Sequence, residues 1–204
     1  GSPARAWTRS VAGWVPHVLL PTADFPSGYA EPTDINEGGI IVGFATDASG
    51  SSRAVKWIPN STGWDAAVPL DNIAASNYGG ANAILGDDIV GNILICFTCR
   101  PLRVPYHWSL TAGQGIGSLG TADAWAEGLN KERSIVGSFS YGGIHAFVRT
   151  LANPTIRDLG APNGYGSASA YDINSPTSTR PSSQAVGQAT SRRGNTTAVL
   201  WTLQ

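Results

Sequence analysis

Asp34-Ile35-Asn36-Glu37-Gly38-Gly39-Ile40-Ile41-Val42-Gly43 holds two short signals in a fixed order: an apolar residue next to Asn, then an apolar segment ending in Val-Gly. The second returns as Ile89-Val90-Gly91, Ile135-Val136-Gly137 and Ala185-Val186-Gly187, with glycine spacings of 48, 46 and 50. The first returns as Ala83-Ile84-Leu85, Gly128-Leu129-Asn130 and Asp172-Ile173-Asn174. The second copy lacks the Asn, and the fourth carries an insertion, Ser175 to Gln184. After each Val-Gly come Gly and Ser residues and then an aromatic segment: Ala54-Val55-Lys56-Trp57, Pro105-Tyr106-His107-Trp108, Ala146-Phe147-Val148-Arg149 and Ala198-Val199-Leu200-Trp201. Each unit also has a Leu-centred segment: His17 to Leu20, Ala67 to Leu70, Ile116 to Gly120 and Ile156 to Gly160.

These segments are short, β-branched or aromatic, and bounded by Gly, Pro, Asn and Ser, which is strand chemistry with turns between. No stretch sustains a helical period. Four strands in each of four units of about 48 residues predict an all-β fold, a four-bladed β-propeller with four antiparallel strands per blade. Residues 1–13 are set apart as an expression-tag scar (Gly1-Ser2) with an extra strand, Ala6-Trp7-Thr8-Arg9. Residues 14–204 form one domain, with blades at roughly 14–58, 64–109, 113–150 and 154–204. A terminal aromatic strand is expected to latch the last blade to the first in a closed ring.

Composition narrows the function classes. The 204 residues carry 13 basic and 14 acidic side chains, 13% in all, where about 25% is ordinary. A net charge of −1 argues against a nucleic-acid partner. No apolar run approaches the roughly 18 residues that span a bilayer, so no membrane association is expected. The 25 Gly and 13 Pro would interrupt a helix bundle. Cys96 and Cys99 are the only cysteines and are expected to form a local hairpin disulfide in an oxidising compartment. Free thiols or a redox pair remain the open alternatives.

The tripeptide His145-Ala146-Phe147, with Asp34-Ile35-Asn36, Asp172-Ile173-Asn174, Ile135-Val136-Gly137 and Asp158-Leu159-Gly160, resembles the HAF repeats, a family of extracellular bacterial repeats. The resemblance covers nearly the whole chain, is strongest in the third and fourth units and is degenerate in the second. It implies secretion or surface display and carries over no catalytic residue.

The loop from each Leu-centred segment to the next Ile-Asn segment pairs an acid or amide with an aromatic ring. The pairs are Asp24 with Tyr29, Asp71 with Tyr78, Asp123 with Trp125, and Asn163 with Tyr165. On a propeller such loops gather on one face, where acids bond sugar hydroxyls and rings stack on the apolar sugar face. The same oxygens suit a Ca²⁺ ion, although no cofactor is otherwise expected. The competing reading is that Asp and Asn shape turns and the rings pack between blades. Trp7, Trp57, Trp108 and Trp201 are expected in the core, and Trp14 and Trp64 as exposed platforms. The leading reading is a secreted binding module for carbohydrate or another extracellular polymer. One alternative is a glycoside hydrolase or lyase using carboxylates on that face, which Asp24, Asp71, Asp123 and Glu127 could supply. The other is a structural or adhesion repeat.

Overall fold

The computed structural model describes all residues except 1–3, 21–28, 71–75, 98–99, 111–112, 115–122, 154 and 204. No helix occurs among the described residues, and every sheet is antiparallel. Sheet I is the hairpin β1 (Arg5–Ser10) and β2 (Gly13–Val18). Sheet II takes β3 (Ala30–Ile35), β4 (Ile41–Thr46) and β5 (Ser52–Trp57). A small hairpin follows, β6 (Pro59–Asn60) with β7 (Gly63–Trp64), and β8 (Val68–Pro69) returns to complete sheet II. Sheet III is β9 (Ser76–Leu85), β10 (Asp88–Phe97), β11 (Arg100–Ser109) and β12 (Gly113–Gln114). Sheet IV is β13 (Ala124–Leu129), β14 (Ser134–Ser140), β15 (Ile144–Thr150) and β16 (Arg157–Asp158). Sheet V is β17 (Tyr165–Ile173), β18 (Gln184–Ser191) and β19 (Thr196–Thr202).

Two boundaries differ from those read in the sequence. The Leu-centred segments do not open a blade. β8 and β16 place the segments of the second and fourth units on the aromatic strand before them, and β12 pairs with β11 just ahead of Ile116 to Gly120, which lies outside the described residues. Residues 5–10, set apart as an extra strand, pair along their length with 13–18. The divisions at 14, 64, 113 and 154 therefore fall one strand early. The reason is edge pairing: the aromatic strand would otherwise leave a row of backbone N–H and C=O groups unpaired.

The Val-Gly signal marks one device used four times. In sheets II to V the glycine lies opposite Pro32, Ala81, Ala126 and Ala170, and the register slips by one residue just after each. The slip is a β-bulge, with Thr33, Asn82, Glu127 and Tyr171 as the extra residues. At each bulge the first strand crowds the second. A Cβ on Gly43, Gly91, Gly137 or Gly187 would overlap the carbonyl oxygen of Glu31, Gly80, Trp125 or Ser169.

The valine beside the glycine faces the following sheet. Val42 packs with Ala81, Ile84, Ile89 and Trp108 of sheet III. Val90 packs with Ala126, Leu129, Ile135 and Phe147 of sheet IV. Val136 packs with Ala168, Ala170, Ile173 and Ala185 of sheet V. All three valines have no exposed surface. Leu19, just past β2, joins sheet II through Ile41, Val55 and Trp57. The protein is thus a series of sheets, each handing one apolar face to the next.

Asparagines pin the turns between first and second strands. Asn36, Asn130 and Asn174 accept the N–H of Ile40, Ser134 and Gln184 at 2.9, 2.9 and 2.6 Å. Two of them also donate to the next sheet, Asn36 to the carbonyl of Gly86 at 2.9 Å and Asn130 to that of Asn174 at 3.0 Å. Replacing Gly91 or Gly137 with Ala should cost about 1–3 kcal/mol or more, as overpacking does. Gly166→Ala should be near neutral, because its Cβ meets only Arg192 Cγ at 3.6 Å. Urea denaturation of the three variants checks this.

Candidate functional site

Equivalent ends of the sheets come together. Thr33 Oγ1 donates to the carbonyl of Ala81 at 2.7 Å, and Asn82 Nδ2 donates to that of Ala126 at 2.8 Å, so first strands sit side by side in register. At one end lie the starts of these strands, where the sequence placed the acid and aromatic pairs. At the other end the turns of sheets II, III and IV converge on a charged cavity of about 400 Å³ that includes Glu37, Asp87, Asp88, Lys131 and Arg133.

At the strand-start end a cavity of about 330 Å³ opens between sheets II and III. Its lining includes Phe44, Ser52, Asn82, Asn92 and Arg103, with the backbone of Gly79 and Gly80. A Cβ on Gly80 would lie in ordinary contact with the Phe44 ring, at 3.7 Å from Cδ1. Arg103 is exposed, and its guanidinium lies 5.5 Å from the centroid of the Trp125 ring. That stacking holds a cation in place without neutralising it. No ion pair or hydrogen bond to the guanidinium occurs among the described residues.

Asn92 Oδ1 accepts the Ala126 N–H at 2.9 Å, which leaves its amide N–H groups for another acceptor. Asn82 Nδ2 also donates to Glu127 Oε2 at 2.9 Å. Burial pushes the Glu127 carboxyl up to about 7, against the opposing pull of Arg103 and the Asn82 bond. The cavity thus combines a guanidinium, two amides, a hydroxyl and an aromatic wall, and Asn82 ties this lining to the Glu127 carboxyl outside it.

The predicted residues divide around this cavity. Asp123 accepts the Arg103 backbone N–H at 2.6 Å, and Trp125 carries the Arg103 guanidinium. Tyr29 is exposed, lies 6.1 Å from the Phe44 ring and donates to Glu31 at 3.0 Å, which holds its phenol above the ordinary value. Tyr78 pairs through its backbone with Leu94 in sheet III. Asn163 and Tyr165 stand in sheet V's entry turn, away from these lining residues, with Tyr165 packed on the core around Val136. Asp24, Asp71 and Cys99 lie outside the described residues, and with Cys99 the expected disulfide. Among the described residues no group of three His, Cys, Asp or Glu is placed to hold a metal ion.

The sequence reading missed Asn82, Asn92 and Arg103, and had Glu127 only as one of four candidate carboxylates. A signal existed: Thr33, Asn82, Glu127 and Tyr171 share one repeat position, two to six residues after the aromatics of the loop pairs. Other expectations shift as well. Trp57 and Trp108 are buried, but Trp7 is 56% exposed because sheet I has no sheet packed outside it. Trp14 is exposed as expected, whereas Trp64 is half-buried and donates to the Gly39 carbonyl at 2.7 Å. The histidines bind locally: His145 to Asp158 at 2.8 Å, His107 to Asp88 at 2.8 Å and His17 to Thr8 at 2.8 Å.

No family model matches the chain, and no curated protein matches it. Solved structures do. Over 92% of its length the chain aligns with a Mycobacterium tuberculosis puromycin-hydrolyzing peptidase, at TM-score 0.59 and 10% identity. Over 98% it aligns with a mutant puromycin hydrolase complexed with PGG, at TM-score 0.48 and 14% identity. It spans 29% of the first chain and 40% of the second. The first likeness establishes a shared all-β fold with part of that peptidase.

Glu127 sets a pH dependence. Its folded value near 7 exceeds the usual 4.5, so the folded state holds the proton more tightly than the unfolded chain. The resulting stability is full below about 4.5 and is lost as pH rises through 7, with a span on the order of 3 kcal/mol. Urea midpoints from pH 4 to 8 should fall accordingly, and Glu127→Gln should remove most of that fall.

Proposed function

We propose that this chain is a secreted β-propeller binding module whose strand-start cavity takes carbohydrate. Sheets II to V are its blades, four in this chain, the first three each extended by a segment that returns to the aromatic strand. The repeated first-strand contacts and the converging turns of sheets II, III and IV support that architecture, since blades meet at an axis. The HAF-repeat resemblance supports membership of an extracellular family, and secretion rests on it.

One observation carries the ligand class: the Arg103 guanidinium stacked on Trp125 beside Asn82 and Asn92. Fixed, directional donors and acceptors next to an aromatic wall are what a sugar ring needs, with its hydroxyls at the edge and its C–H groups on the face. A second reading, an enzyme acting on an extracellular polysaccharide, draws on Glu127, whose proton is exchangeable near neutrality. A glycosidase needs a second carboxylate. Asp123 has one oxygen committed to the Arg103 backbone N–H.

Glycan-array binding followed by calorimetry tests the proposal. The wild-type chain should bind a saccharide without turnover, and Arg103→Ala and Trp125→Ala should each weaken binding at least tenfold, about 1.4 kcal/mol. Tyr165→Ala should bind as wild type. Binding unaffected by Arg103→Ala overturns the cavity as the site, and reducing ends released from a polysaccharide panel move the reading to the enzyme.

A further inference from the structure

Sheet V repeats the residues by which sheets II, III and IV hold their successors, and none of them has a successor to hold. Val42, Val90 and Val136 are completely buried by the next sheet, whereas the equivalent Val186 is 46% exposed. Thr33 and Asn82 donate to a carbonyl of the next sheet, but Tyr171 at the same bulge position is 46% exposed. Asp34 uses Oδ1 for the Ile35 N–H and Oδ2 for the Ile84 N–H across the sheet gap, each at 2.8 Å. Asp172 makes only the first of these bonds, to Ile173, among the described residues. Asn36 and Asn130 donate across the gap, whereas among the described residues the Asn174 side chain has only its turn bond. Leu200 adds a further 58% exposed apolar side chain to this face.

The opposite end of the chain is the matching half. Residues 4–20 align without a gap on residues 54–70, pairing Trp7 with Trp57, Gly13-Trp14 with Gly63-Trp64, Val18 with Val68 and Leu20 with Leu70. The hairpin register agrees: Arg9 faces Trp14 and Ser10 faces Gly13, as Pro59 faces Trp64 and Asn60 faces Gly63. Sheet I is therefore the later half of a repeat sheet without its first two strands. Sheet V is the earlier part of one, without the short strand that β5, β11 and β15 carry on their outer edges. Trp7 and Leu20 are each 56% exposed, whereas Trp57 and Leu70 are buried. Among the described residues the outer edges of β1 and β19 are both unpaired.

We propose that a second copy of this chain docks its sheet I end against the outgoing face of sheet V. The contact continues, between chains, the interface that already joins successive sheets within one. It is head-to-tail, and two copies related by a twofold axis make it twice and close both open ends.

Light scattering with size exclusion, from about 1 to 200 μM, reads the association. A mass rising with concentration to that of two chains or more is expected. Val186→Lys and Leu200→Lys should weaken association at least tenfold while leaving the circular-dichroism melting temperature unchanged, because both side chains are exposed in the single chain. A monomer at every concentration overturns the proposal. A monomer whose melting temperature falls in Val186→Lys points instead to closure within one chain. Association indifferent to both substitutions also overturns it.

Discussion

The structure depends on a missing side chain. At Gly43, Gly91, Gly137 and Gly187 the backbone of the first strand lies where a Cβ would be. That approach is tied to the bulge that inserts Thr33, Asn82, Glu127 or Tyr171 and re-aims the strand. In sheets II to IV the valine before the glycine then meets the next sheet, and Thr33 and Asn82 at their bulges bond a first-strand carbonyl of that sheet. One dipeptide thus controls both the shape within a sheet and the contact between sheets.

This economy explains the sparse charge. Both faces of the inner sheets are covered by neighbours, so the contacts between sheets rest mainly on amides, hydroxyls, the Asp34 carboxylate and backbone groups, with a short ion pair from Arg133 to Asp88 at 2.7 Å. Buried polar groups are matched at the same positions from unit to unit, as Thr33 with Ala81 and Asn82 with Ala126. Where a unit departs from the pattern, chemistry appears. Glu127 takes a bulge position held elsewhere by neutral residues, and burial leaves its carboxyl titrating near neutrality beside Arg103.

The strands and their order were legible because period, turn residues and repeat spacing are local properties. Asn36, Asn130 and Asn174 were readable as turn formers, and each does accept the N–H that closes its turn. The phase of the sheets was not legible. Whether His17 to Leu20 pairs forward or backward depends on which strand edge is open, and a one-dimensional pattern does not record edges. Asp123 and Trp125 were legible as an acid and aromatic pair, yet the role of each runs through Arg103, about 20 residues away in the chain.

By itself the sequence determined an all-β chain of repeated short strands, with Val-Gly as its fixed point, because only glycine tolerates a backbone in its side-chain space. Tertiary structure alone decided which residues share the cavity. Phe44, Asn82, Asn92 and Arg103 come from two sheets, and their neighbourhood follows from the stacking of one sheet on the next. It also decided that Val186, identical in motif to three buried valines, is exposed, because burial belongs to the neighbour and not to the residue.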